Sequence, residues 1–164
     1  MARRDLAAME RLRPVILEVA REHRVDPALI AGIVSRESAA GAFLDRRGRG
    51  DGGHGHGLMQ IDGRAHGSWL QRMNWREPKT NLTMGVRVLK DIAQQLRAST
   101  TRRGLRLSED QLLQAALSGY NTGPSNALRG LRLEGNSDHF TSGKNYAADV
   151  LTRAEFYRSH GFSI

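Results

Sequence analysis

Glu37, Asp51 and Asp62 are the carboxylates whose positions ordinary structural duties explain least. Glu37 falls at the C-terminal end of a predicted helix that is otherwise apolar, where the helix dipole disfavours a negative charge. Partial burial acts in the same direction and favours the neutral acid. A carboxylic acid kept protonated near neutral pH can serve as a general acid. The plainer alternative is an ion pair between Glu37 and Arg36 or another arginine. Asp51 lies inside a glycine-rich stretch, and Asp62 ends the apolar run Leu58–Ile61. In such settings an Asx-turn or a turn cap is the usual duty of an aspartate. The chemical alternative is that the loop folds both carboxylates towards Glu37, since one acid and carboxylates across a gap are what glycoside hydrolysis requires.

The other acids have simpler explanations. Asp26, Glu109 and Asp110 precede or open predicted helices, where negative charge is favoured. Asp5, Glu18, Glu22 and Asp91 fall on predicted helices among basic neighbours, as solvated faces do. Asp51, His54, His56 and His66 invite a metal reading, because Asp and His both ligate zinc. The glycines around His54-Gly55-His56 make that geometry soft, and no His-Glu-x-x-His pattern is present. No metal and no cofactor is expected. With no cysteine in the chain there is also no thiol nucleophile and no disulfide framework.

The elements that must position these residues read as helices. Leu12, Ile16, Val19 and Ala20 form one apolar stripe, with Pro14 expected in its opening turn. Asp26 and Pro27 open a second helix that buries Leu29, Ile30, Ile33 and Val34 and runs to about Ser38, stopped by Gly41. The stretch 46–67 is expected to be a loop or short hairpin, because its glycines permit positive φ and close backbone approach. A third helix is predicted over 81–98, with Leu82, Val86, Leu89, Ile92, Ala93 and Leu96 inward. Ser108-Glu109-Asp110-Gln111 is a capping box for a helix through Leu117. Tyr120-Asn121-Thr122-Gly123-Pro124 breaks it, a short helix follows at 125–129, and a last one covers 145–160. The expected fold class is mainly α, a single domain over 1–164 with at most a small sheet.

Composition limits what such a chain can be. It has 164 residues and a formal charge of +8, with 39% hydrophobic residues and no apolar run long enough to span a membrane. The charge comes almost entirely from arginine and attracts polyanions. Nucleic-acid binding is not expected, because only 5% of residues are aromatic and Trp69 and Trp75 lie outside any basic repeat. The N-terminus has a basic start with no continuous apolar stretch behind it, so no secretory signal is expected.

Five stretches, in order, resemble the goose-type lysozymes. They are Asp26-Pro27-Ala28-Leu29-Ile30-Ala31, then Ser35-Arg36-Glu37-Ser38, then Gly50-Asp51 through Gly57-Leu58-Met59-Gln60-Ile61-Asp62. Ser118-Gly119-Tyr120-Asn121-Thr122-Gly123 and Asn145-Tyr146-Ala147-Ala148-Asp149-Val150 follow, and the likeness covers about 12–162. The resemblance implies an α-rich lysozyme-like fold and cleavage of the β-1,4 bond between N-acetylmuramic acid and N-acetylglucosamine in bacterial peptidoglycan, with chitooligosaccharides as analogues. It matches Glu37 to the family's general acid, and Asp51 and Asp62 to the aspartates that place or activate the attacking water. It further implies an inverting mechanism, a monomer acting at the cell wall, and substrate contacts at Gln60, His66, Tyr120, Asn121 and Tyr146. The chain departs from the family in lacking cysteines, in Ala39 at a position often polar, and in a segment from Glu37 to Asp51 about one residue longer than usual. Two alternatives remain open. A lytic transglycosylase shares the Glu-Ser, Gly-Leu-Met-Gln and Tyr-Asn motifs but makes 1,6-anhydro products and generally lacks the aspartate pair. An inert wall-binding protein would keep the motifs without turnover.

Overall fold

A computed structural model describes residues 1–164. Seven helices carry most of the chain: α1 (Ala2–His23), α2 (Pro27–Ser38), α3 (Gly63–Arg72), α4 (Pro78–Arg102), α5 (Glu109–Thr122), α6 (Pro124–Glu134) and α7 (Tyr146–Arg158). Between α2 and α3 lies a small antiparallel sheet of β1 (Arg49–Gly50), β2 (Gly55–His56) and β3 (Ile61–Asp62), in the order β1-β2-β3. The mainly α class with a small sheet in the glycine-rich stretch is therefore as expected. The chain divides into two compact units: Met1–Val86 with Val150–Ile164, and Arg87–Asp149.

In the first unit, α1 starts about ten residues earlier than its apolar stripe suggests and carries Pro14 in its interior, not its opening turn. The ring removes one backbone donor. The buried face nevertheless continues on both sides of it, from Asp5 and Met9 to Ile16 and Val19, so tertiary packing outweighs the local break. Asp5 corrects the solvated-face reading. It is only 8% exposed, and its carboxylate accepts a hydrogen bond of 2.6 Å from Ser35 Oγ, which also accepts from Arg153 Nη1 at 2.8 Å. Arg153 on α7 lies 3.8 Å from Asp5, so a buried charge is matched across three helices of this unit. Glu18 and Glu22 do sit in solvent, and both bind Lys79 at 2.8 Å.

α2 begins as the sequence requires, with Asp26 accepting from Ala28 N at 2.9 Å and Pro27 in the first position. It is buried along nearly its whole length, so Ile30, Ile33 and Val34 form the centre of this unit's core. α3 is not predicted from the sequence: Asp62 caps it, but Gly63 and Gly67 read as a continuation of the glycine-rich stretch and none of its residues is buried.

The second unit contains most of α4, all of α5 and α6, and two short 3-10 turns at Ser137–Phe140 and Ser142–Lys144. The capping box at Ser108 forms in full, with reciprocal bonds of 2.9 and 3.1 Å to Gln111. α5 continues through Tyr120 and Asn121 to Thr122, past the break expected from the sequence. Gly123 and Pro124 end it and open α6, which extends to Glu134.

Candidate active site

The site is built from the C-terminal end of α2. Glu37 occupies its last turn and is half-buried. Directly after Ser38 the chain turns through three successive residues of positive φ: Ala39 (48°), Ala40 (54°) and Gly41 (97°). Two of these are not glycine, so the helix is stopped by strained backbone that surrounding packing must hold. Ser38 is part of that hold. Its hydroxyl is directed to the carbonyls of Leu58 (2.8 Å) and Val34 (3.2 Å), and it accepts from Gly41 N at 3.2 Å. The last turn of α2 is thus fastened to the Leu58-Met59-Gln60 segment.

That segment connects β2 to β3. Gly55 pairs with Gly50 on one side and Asp62 on the other. A Cβ at Gly50 or Gly55 would come within 2.4 or 2.1 Å of Gln60 Oε1, so the Gln60 side chain lies flat on both backbones and only glycine permits it. Gln60 has a φ of 51° and donates from Nε2 to Gly57 O at 2.9 Å, which closes the turn. Beneath it Asn81 is fully buried. It accepts from Met59 N and donates to the carbonyls of His56 and Trp75, all within 3.0 Å. His56 Nδ1 faces two carbonyls, His54 O and Ile61 O, so that nitrogen carries the proton and donates. The ring also sits edge-on against Trp75.

The two aspartates come together through a residue the sequence reading did not single out. Asp62 caps α3 as a turn-capping aspartate should, accepting from Arg64 N at 2.8 Å. The Arg64 guanidinium then grips the same carboxylate, Nε to Oδ1 at 3.0 Å and Nη2 to Oδ2 at 3.1 Å. Nη2 also lies 3.6 Å from Asp51 Oδ2. Chiefly through the Arg64 hydrogen bond, the Asp62 carboxyl is held below the usual carboxylate range, with His54 adding to the effect. Asp51 opens a 3-10 turn with a φ of 48°, is exposed, and borders a cavity of about 590 Å³ with Phe43, Asp45, Arg47 and Arg49. His66 is half-buried at a kink inside α3.

Tyr120, Asn121 and Tyr146 belong to the second unit. Asn121 Oδ1 accepts from Ser142 N at 2.9 Å. Tyr146 is only 1% exposed at the start of α7. Its neighbours Ala147 and Ala148 donate their N–H groups to buried Asp138, which also accepts from Ser118 Oγ at 2.8 Å. Asp138 therefore joins the two motif stretches of this unit.

The structure thus gathers Asp51, Gln60 and Asp62 around one sheet and fastens Glu37's helix to it. Arg64, Asn81, Ser38 and Asp138 were missed as positioning groups. Arg64 had a local signal, an arginine two residues past an aspartate, whereas Asn81 acts across 22 residues and Asp138 across 20. No group of His, Asp and Glu side chains could hold a metal ion, and no helix is long and apolar enough to cross a membrane.

A family model described as lysozyme g matches residues 1–161. Lysozyme g of Struthio camelus is 37% identical over 165 residues, covering 99% of this chain and 73% of the relative. Lysozyme G of Dromaius novaehollandiae is 36% identical with the same coverage. Lysozyme g of Gallus gallus is 34% identical, over 99% of this chain and 71% of the relative.

Proposed function

The chain belongs to the lysozyme g family, and on that premise we propose that it is a peptidoglycan muramidase that cleaves the β-1,4 bond between N-acetylmuramic acid and N-acetylglucosamine with inversion. It is a lysozyme-type glycoside hydrolase. The observation that carries the finer reading is Glu37 on the last turn of α2, tied through Ser38 to the segment that ends in Asp62. In this reading Glu37 gives its proton to the glycosidic oxygen as the C1–O bond breaks. Water attacks C1 from the opposite face and loses its proton to the aspartate pair, and the new reducing end is an α-anomer. Inverting enzymes hold acid and base about 6.5–9.5 Å apart to admit that water. Gln60, His66, Tyr120, Asn121 and Tyr146 are proposed as sugar contacts. The enzyme is proposed to act as a monomer at the bacterial wall.

The test is mass spectrometry of sugars released from purified peptidoglycan, with proton NMR of the first anomer formed. Hydrated α-anomers support the reading. A 1,6-anhydro ring would mean a lytic transglycosylase, and absence of any released sugar would mean a wall-binding protein. Glu37→Gln, nearly isosteric and unable to titrate, is expected to lower turnover by about 10²–10⁴-fold, the usual worth of general acid catalysis. Retention of more than a few per cent would remove Glu37 as the acid.

A further inference from the structure

We propose that Arg64 divides the labour between the two aspartates, holding Asp62 as the carboxylate that orients the attacking water and leaving Asp51 as the one that takes its proton. This rests on the hydrolytic reading above and adds a positioning residue and an order of roles to it.

The argument is geometric. Asp62 Oδ1 accepts from both Arg64 N and Arg64 Nε, and Oδ2 accepts from Nη2, so each of its oxygens is engaged by one residue. A bidentate guanidinium fixes the plane of a carboxylate as well as its charge. A group held this way keeps a constant orientation, and its remaining lone pairs suit a hydrogen bond from water better than capture of a proton. Asp51 has only the longer 3.6 Å contact to the same Nη2 and stands on a turn with positive φ, exposed beside the cavity. Its oxygens are the freer acceptors. A single cation between two carboxylates also offsets the repulsion that would otherwise drive one of them to take up a proton before reaction. Asp62 being held below its ordinary range agrees with this. His54 is the other neighbour that lowers Asp62, and Arg64 is in turn stabilised by both aspartates.

The proton and electron balance follows. The water oxygen forms its bond to C1 while the glycosidic C–O pair leaves with the departing oxygen, which receives the Glu37 proton. One water proton passes to the Asp51 carboxylate and is later lost to solvent, and solvent reprotonates Glu37. Arg64 exchanges no proton.

The side chain of Arg64 is 63% exposed and that of Asp51 72%, so replacing either leaves the core intact. Arg64→Gln and Arg64→Lys, with Asp51→Asn and Asp62→Asn, are to be assayed on purified peptidoglycan across pH, with and without sodium azide. Asp51→Asn is expected to lose at least 100-fold in turnover and to recover partly in azide with formation of an α-glycosyl azide, because azide needs no base. Asp62→Asn, having lost orientation, is expected to fall as far without recovery. Arg64→Gln frees Asp62 to titrate higher, so the acid limb of kcat/KM moves to higher pH, with kcat falling more than KM changes. Arg64→Lys is expected to restore the limb in part, since a single ammonium keeps the charge but not the fork. Azide rescue of Asp62→Asn and not of Asp51→Asn would overturn the order of roles. An unmoved acid limb in Arg64→Gln would reduce Arg64 to a structural ion pair. Failure of the hydrolytic reading is separate from both, because it shows in the wild-type products alone.

Discussion

Asn81 makes one accepted and two donated hydrogen bonds inside the first unit, to Met59 N, His56 O and Trp75 O. Asn81→Ala removes all three of these hydrogen bonds at once, at ~1–3 kcal/mol for each buried group left unsatisfied and unreached by water. We expect a loss of several kcal/mol in urea unfolding, and a loss of activity because the turn carrying Gln60 loosens. Asn81→Asp separates the roles further. A carboxylate accepts from Met59 N but cannot donate to the two carbonyls, whereas the protonated acid can donate to one. Burial raises the folded-state pKa of such an acid, so its penalty is small below the unfolded value of about 3.9 and grows as pH rises through it. Thermal melts at pH 3.5 and 7 check the sign: a variant equally destabilised at both would contradict it. Asp5 is the matching lesson in reading acids from sequence. Its basic neighbours along the helix suggested solvent, while its partners, Ser35 and Arg153, lie far along the chain.

At the level of elements, the end of α2 concentrates strain next to the proposed acid. Ala39 and Ala40 hold left-handed backbone that costs an L-residue roughly 1–2 kcal/mol each, partly cancelled in a glycine variant by the greater freedom of its unfolded chain. Ala39→Gly and Ala40→Gly are therefore expected to leave stability unchanged or raise it by up to about 1 kcal/mol. At the same time kcat should fall, because the glycine chain no longer confines Glu37's turn. An Ala39→Gly variant that is destabilised at all would show that the buried Ala39 methyl matters more than its φ. α4 shows the opposite case, a start that is well satisfied. Glu77 accepts from Lys79 N, Thr80 N and Thr80 Oγ1, and chiefly through Thr80 its carboxyl lies below the ordinary range. Helix starts at Asp26 and Ser108 were legible because a cap acts over two or three residues. The extent of α1 across Pro14 was not, since the packing of its buried face decides it, and α3 was not, since its glycines read as loop.

For the molecule as a whole, charge is the property that sequence and structure share. Its +8 is a long-range field, and a wall substrate is polyanionic. Raising salt from about 0.01 to 0.15 M shortens the screening length from about 30 to about 8 Å. Turnover of intact walls is expected to fall several-fold over that range, while hydrolysis of an uncharged chitooligosaccharide changes less than twofold. Equal losses on both substrates would place the salt effect in the site and not in the encounter.

Residue types, caps and short motifs act over a few positions along the chain. The α class, the small sheet in the glycine-rich stretch and the Asp26 and Ser108 caps could therefore be read without coordinates, and Glu37, Asp51 and Asp62 could be named there as the proposed acids. What holds those acids in place could not. Ser38 meets Leu58, Asn81 meets Met59, and Asp5 meets Arg153 only after the chain has folded. A hydrogen bond depends on distance in space, and separation along the sequence does not encode it.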